Sequence, residues 1–164
     1  THTPIDLSTP IQTAPVLTDT TAITATLGVS YLQLKNSLEP AGFNFPEGLP
    51  LDTALSAQAT YAAVPVEMLL WGTSAALTEV EMRFTLLLED AERTNQGTGA
   101  MLRLLDFLLP GWDESSAWLL ESFQEGLTSS DERYDRSTQR SGMYILLEMD
   151  RMAGSVVLTV TAVP

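Results

Sequence analysis

The chain has 164 residues, 45% of them apolar, and sets 21 Asp and Glu against eight Lys and Arg, for a net charge of −13. It has no Cys, one His (His2) and one Lys (Lys35). So few cations cannot grip a run of phosphates, which argues against nucleic acid and anionic lipid surfaces as partners. Without Cys there is no disulfide scaffold or thiolate metal site, and nucleophilic and general-base chemistry loses its usual residues.

Residues 1–28 hold Pro4, Pro10 and Pro15 and nine threonines between Thr1 and Thr26. That composition favours extended backbone, so the segment reads as an N-terminal arm or tether ahead of a single domain over 29–164. The folded part is expected to start at Ser30. Ser30 and Gln33 have capping-box spacing, and Tyr31, Leu34 and Leu38 make one helical stripe. Pro40 and Gly42 stop this helix, and residues 43–50 read as a loop rich in breakers.

Beyond the loop the period changes to two. Ala54 to Ala63 and Val64 to Trp71 read as strands, with Pro65 suggesting a strand start or an edge. Gly72 to Ala76 is a turn. Leu77 to Leu88 alternates clearly: Val80, Met82, Phe84 and Leu86 on one face, Glu79, Glu81, Arg83 and Thr85 on the other. A helix is expected over about 95–109, with Met101, Leu104, Leu105 and Leu108 inward, Gly97 and Gly99 weakening its start, and Pro110-Gly111 as its stop. A second helix opens with Asp113 as N-cap and uses Trp118, Leu119, Leu120, Phe123 and Leu127 as its apolar side. Residues 133–139 read as a short edge strand. Met143 to Asp150 and Ser155 to Val163 follow as strands joined through Gly154. No apolar run reaches membrane-spanning length; the densest, Ala100 to Leu109, is broken by Arg103 and Asp106.

The expected fold is therefore α+β: an antiparallel sheet of about five strands, with two or three on either side of a helical pair, and three helices on one face. Residues 30–88 and 100–163 both read as a helix followed by a hairpin, but they are too dissimilar to count as a repeat.

Several constellations invite a chemical reading, and each has a plainer one. Glu79 and Glu81 are about 7 Å apart along a strand, near the spacing of a glycosidase pair, but strand alternation produces the same pair on a solvated face. Asp131 to Asp135 lacks the alternating acids, central Gly and closing Glu of a calcium loop. No Ser lies in a nucleophile elbow, and the folded part has no His to act as its base. Gly97-Thr98-Gly99 lacks the Gly-Lys of a phosphate loop. The six methionines read as core filler. No cofactor, metal or catalytic residue is assigned. Trp71, Trp112, Trp118 and Phe45 are the candidate contacts with a ligand or partner. They would line a groove if they converge, and they would fill the core otherwise.

The run Ala100-Met-Leu-Arg-Leu-Leu-Asp-Phe-Leu-Leu-Pro-Gly-Trp-Asp113, followed by Trp118-Leu-Leu and the hairpin Met143 to Val163, resembles a segment of uncharacterised exported bacterial proteins, many of them lipoprotein-like. The resemblance covers about a third of the chain. It implies export and a Thr/Pro-rich tether, and it carries no activity; this chain has no Cys to take a lipid.

The expected function is a non-enzymatic, extracytoplasmic binding or interaction module, an accessory subunit of a cell-envelope or surface assembly. Its partner would be another protein or a second copy, met through an exposed sheet face or edge. The alternatives are a carrier of a small molecule or lipid between helices and sheet, and an acidic inhibitor of a basic target.

Overall fold

The computed structural model describes residues 25–45, 64–86 and 88–164, and the backbone alone over 55–61. The arm expected over 1–28 lies, up to residue 24, outside the described residues, as does the loop beyond Phe45 as far as residue 54.

The Ser30 hydroxyl accepts from the Gln33 N–H, and the Gln33 side chain accepts from the Ser30 N–H at 2.8 Å, closing both ends of a capping box. This starts helix α1, Tyr31–Leu38, whose Tyr31, Leu34 and Leu38 are buried. A 3-10 turn over Glu39–Ala41 ends at Gly42, where φ is 95°, a conformation glycine adopts without strain. The chain joins the core slightly before Ser30. Leu27 is buried, its N–H donates to the Leu77 carbonyl, and the Leu77 N–H donates to the Val29 carbonyl.

Among the described residues seven strands form one sheet: β1 (Phe43–Asn44), β2 (Leu55–Tyr61), β3 (Val64–Gly72), β4 (Leu77–Thr85), β5 (Arg133–Arg140), β6 (Met143–Asp150) and β7 (Ser155–Ala162). Their order is β1-β2-β3-β4-β7-β6-β5, and every neighbour is antiparallel. The α+β arrangement is the expected one. The strand count exceeds about five because both groups contain three full strands and because Phe43-Asn44, expected as loop, pairs with β2.

Strand alternation sends Val66, Met68 and Leu70, then Val80, Met82 and Phe84, then Val156, Leu158 and Val160, then Ile145, Leu147 and Met149 to one face, and all are buried. That face carries helices α2 (Ala91–Leu108) and α3 (Ser115–Thr128). Helix α2 begins earlier than the sequence suggests. Asp90 caps it by accepting from the Arg93 N–H at 3.0 Å. Gly97 does not mark a weak start; it lies against the Phe84 ring, where a side chain would not fit. Asp113 does not cap α3. Glu114 holds the cap position without a side-chain bond, and the Ser115 hydroxyl donates instead to Asp106 at 3.3 Å.

Helix α3 is rotated relative to its apolar pattern. It buries Ser115, Leu119, Ser122, Phe123 and Gly126, and leaves Leu120 and Leu127 exposed. Small residues win the inner stripe because the helix approaches the sheet closely. The Ser122 hydroxyl satisfies itself on the Trp118 carbonyl at 2.6 Å, and Gly126 faces Tyr134 and Met149. Phe123 stacks on Phe84 with ring centroids 6.1 Å apart.

Gly97→Ala would bring a Cβ to 2.6 Å from the Phe84 ring. It is expected to cost about 1–3 kcal/mol of stability, as overpacked core sites do. Gly126→Ala meets Tyr134 at 2.9 Å and the flexible Met149 at 3.0 Å and should cost less. Gly111→Ala has open space and should stay within about 0.5 kcal/mol of the parent. Urea unfolding of the three variants checks the ranking.

Candidate functional site

The four aromatic candidates do not converge. Phe45 is buried at the β1 edge of the sheet, with Tyr31 edge-on at 5.9 Å and Phe43 at 6.4 Å, and serves the core. Trp71 stands at the end of β3 on the face away from the helices. It borders a shallow depression of about 440 Å³ with Ala25, Glu79, Thr161 and Pro164. Trp112 and Trp118 alone come together, with ring centroids 5.5 Å apart and planes at 47°.

Their corner is built by the exit from α2. After Leu108 the Leu109 N–H still reaches the Leu105 carbonyl, the Trp112 N–H returns to the Leu109 carbonyl, and the Ser115 N–H returns to the Trp112 carbonyl. Pro110-Gly111 thus turns the chain and sets Trp112 beside the first turns of α3. The turn between β5 and β6 approaches from the sheet. Ser141 and Gly142 both have positive φ, 50° and 75°, which matches the two-residue turns of a twisted hairpin. This turn places the Arg140 guanidinium 5.8 Å from the centre of the Trp112 ring. Between corner and turn lies a cleft of about 550 Å³, lined by Leu108, Leu109, Trp112, Asp113, Glu114 and Arg140 among others. The Trp112 indole Nε1 is buried and has no hydrogen-bond partner among the described residues.

The sequence reading missed Arg140 and Ser141. The signal for them was a two-residue turn closing between two alternating strands, which brings the residues flanking the turn to whatever packs on that end of the sheet.

The second candidate surface is the face of the sheet opposite the helices. Strand pairing arranges it in rows. Trp71, Glu79, Thr161, Tyr144 and Gln139 form one row; Leu69, Glu81, Thr159, Leu146 and Ser137 the next; Glu67, Arg83, Val157, Glu148 and Asp135 a third. These rows hold five carboxylates and one cation. Arg83 lies 3.1 Å from Glu67 and 3.4 Å from Glu81, while Glu79 accepts from the Thr161 hydroxyl at 2.8 Å. Partial burial pushes the Glu81 carboxyl above the usual carboxylate range. Arg83 opposes this, and Glu79, Glu148 and Glu67 add to it. The Glu79/Glu81 pair thus lies on an open face, where Thr161 and Arg83 account for both carboxylates.

Among the described residues no group of three or more His, Cys, Asp or Glu is placed to hold a metal ion, and no helix is long and apolar enough to cross a membrane. No protein-family model, no curated protein and no solved structure matches the chain.

Helix α3, and with it Trp118, is fastened to β5 by a polar cluster. The Tyr134 hydroxyl donates to Glu125 at 2.6 Å, and Arg136 reaches Glu125 at 3.2 Å and Glu121 at 3.6 Å. Burial first, and then the Glu125 carboxylate, push the Tyr134 phenol up to about 12. Because this native pKa lies above the ordinary tyrosine value, the cluster's contribution is complete below pH 10 and is lost as pH rises through about 12. Spectrophotometric titration should find Tyr134 ionising late, with Tyr31 also raised by burial, and Glu125→Gln should bring the Tyr134 titration back toward 10.

Proposed function

We propose that this chain is a non-enzymatic binding module, an accessory subunit of an extracytoplasmic assembly, and that the open face of its sheet meets a basic protein surface. The observation that carries this reading is the make-up of that face. Leu69, Trp71, Leu146 and Val157 are only half-buried on it, and they are interleaved with six carboxylates, Asp150 included, against Arg83 and Arg133. An apolar face with a one-sided charge suits a partner that brings both apolar groups and cations. The net charge of −13 would speed the encounter at low salt. The sparse catalytic inventory supports the non-enzymatic part, and the Thr/Pro-rich residues 1–28 support an exported, tethered protein.

The helix–sheet interior is filled by Met68, Met82, Met101, Leu104, Leu147 and Leu158, all fully buried, which weighs against a lipid carried there.

The test compares Glu79→Gln/Glu81→Gln with Glu89→Gln/Glu92→Gln, a pair that removes the same charge away from the face. Each tagged chain is recovered from its source under gentle conditions. A basic partner should stay with the parent and the control, and bind the face variant about tenfold more weakly or worse, in a salt-dependent way. Equal retention by all three, an acidic partner, or a chain recovered alone would overturn the reading. An enzyme partner that regains activity on release would make the module an inhibitor. Fractionation should find the protein outside the cytoplasm, and recovery in the cytosol would remove the compartment alone.

A further inference from the structure

We propose that the cleft between the α2–α3 corner and the β5–β6 turn binds a small zwitterion with an apolar body, of the class of an apolar α-amino acid. The site is independent of the sheet face, because Arg140 and Trp112 lie at the helix-bearing side of the β5 edge.

Lys35, Arg83, Arg93, Arg133 and Arg136 each have a carboxylate oxygen at 3.5 Å or less. Arg140 and Arg151 have none among the described residues; Arg151 donates to the Ser129 carbonyl, whereas Arg140 stands at a cleft that Asp113 and Glu114 also line. Its Nη1 donates to the Gln139 carbonyl at 3.0 Å, and its plane is held near the Trp112 ring. The guanidinium is therefore oriented while its remaining donors stay free. The second observation is the Trp112 ring itself, which lines the cleft beside the guanidinium.

The planar guanidinium fork of Arg140 matches a carboxylate better than a neutral acceptor. Asp113 and Glu114 select further. They would repel a doubly charged phosphate and would attract an ammonium group beside the bound carboxylate. The remaining wall, with Leu108, Leu109 and Pro110, is apolar, and Leu108 and Leu109 are buried there. A volume of about 550 Å³ falls within the usual range for small-molecule sites. The Trp112 ring already contacts Trp118 and Arg140, so the ligand is held by its charged ends and its apolar body rather than by stacking on Trp112.

The probe is L-phenylalanine, with 3-phenylpropionate and phenethylamine as the analogues that lack its ammonium and its carboxylate. Titration is followed by the indole N–H resonances of the 15N-labelled full chain. The expected result is a saturable shift of the Trp112 indole N–H, with each single-charge analogue binding more weakly. Arg140→Gln and Asp113→Asn should each weaken binding about tenfold, the scale of one hydrogen bond to a charged group. Circular dichroism establishes that both variants fold, and a Trp118 or Trp71 indole shift alone does not count as binding. The proposal is overturned if Trp112 does not respond, if either analogue binds as well as phenylalanine, or if a folded Arg140→Gln binds unchanged. Loss of binding by Glu79→Gln/Glu81→Gln would also overturn it, by moving the site to the sheet face.

Discussion

The pairing of β4 with β7 is the constraint on which the rest of the molecule depends. Strands β1 to β4 form one meander and β5 to β7 another, and among the described residues the ladder from Glu79–Thr161 to Thr85–Ser155, extended by the Leu86 N–H donating to the Gly154 carbonyl, joins them in one sheet. On its inner side Val80 meets Val160, Met82 meets Leu158 and Phe84 meets Val156, all buried. The chain between these strands contains both long helices. Closing so long a connection costs little more than closing one half its length, roughly 0.6 kcal/mol per doubling. The gain is a continuous apolar surface wide enough for two helices. Helix α2 packs toward β2 and β3 while α3 packs over β5 and β6, so the two helices together cover both meanders. The cleft at Trp112 and Arg140 exists because one side comes from the helical connection and the other from the second meander.

The two candidate surfaces differ in physical kind. The open sheet face is broad, and its chemistry comes from alternation: every residue that points away from the core lands there, so acids and half-buried apolar side chains share rows. The cleft is small and draws its chemistry from chain reversals, the exit of α2 and the Ser141-Gly142 turn. A partner on the first would be recognised by charge and area, and a ligand in the second by the placing of a few donors and acceptors.

Local signals in the sequence carried most of the fold. The Ser30–Gln33 box, the alternation from Leu77 to Thr85 and the turn at Gly154 each describe a few neighbouring residues, and each is present in the structure. What escaped depends on distant contacts. Apolar character pointed to Leu120 and Leu127 as the inner side of α3, but close approach to Tyr134 and Met149 favours Gly126 and Ser122. Gly97 looked like a weak helix start because its partner, Phe84, belongs to another element. Among the aromatic candidates, Trp112 and Trp118 are six residues apart across one turn and could be paired by reasoning. The positions of Trp71 and Phe45 follow from strand register, and register is not written in either strand alone. The rows of the open face escaped for the same reason: Glu79, Glu81 and Arg83 were visible as a set, but Leu146 and Val157 join them only through β7 and β6.

Strand β5 closes one side of the sheet and presents its outer backbone groups to whatever comes near. Its residues run Arg133, Tyr134, Asp135, Arg136, Ser137, Thr138, Gln139 and Arg140, with charge or hydroxyl at nearly every position. A strand from another molecule that added there would bring its side chains against Arg133, Arg136 or Arg140 and would strip water from them. Such an edge resists templated growth, the route by which sheet proteins form fibrils. For a protein whose open sheet face carries half-buried apolar side chains among its acids, that resistance guards against copies recruiting one another edge to edge.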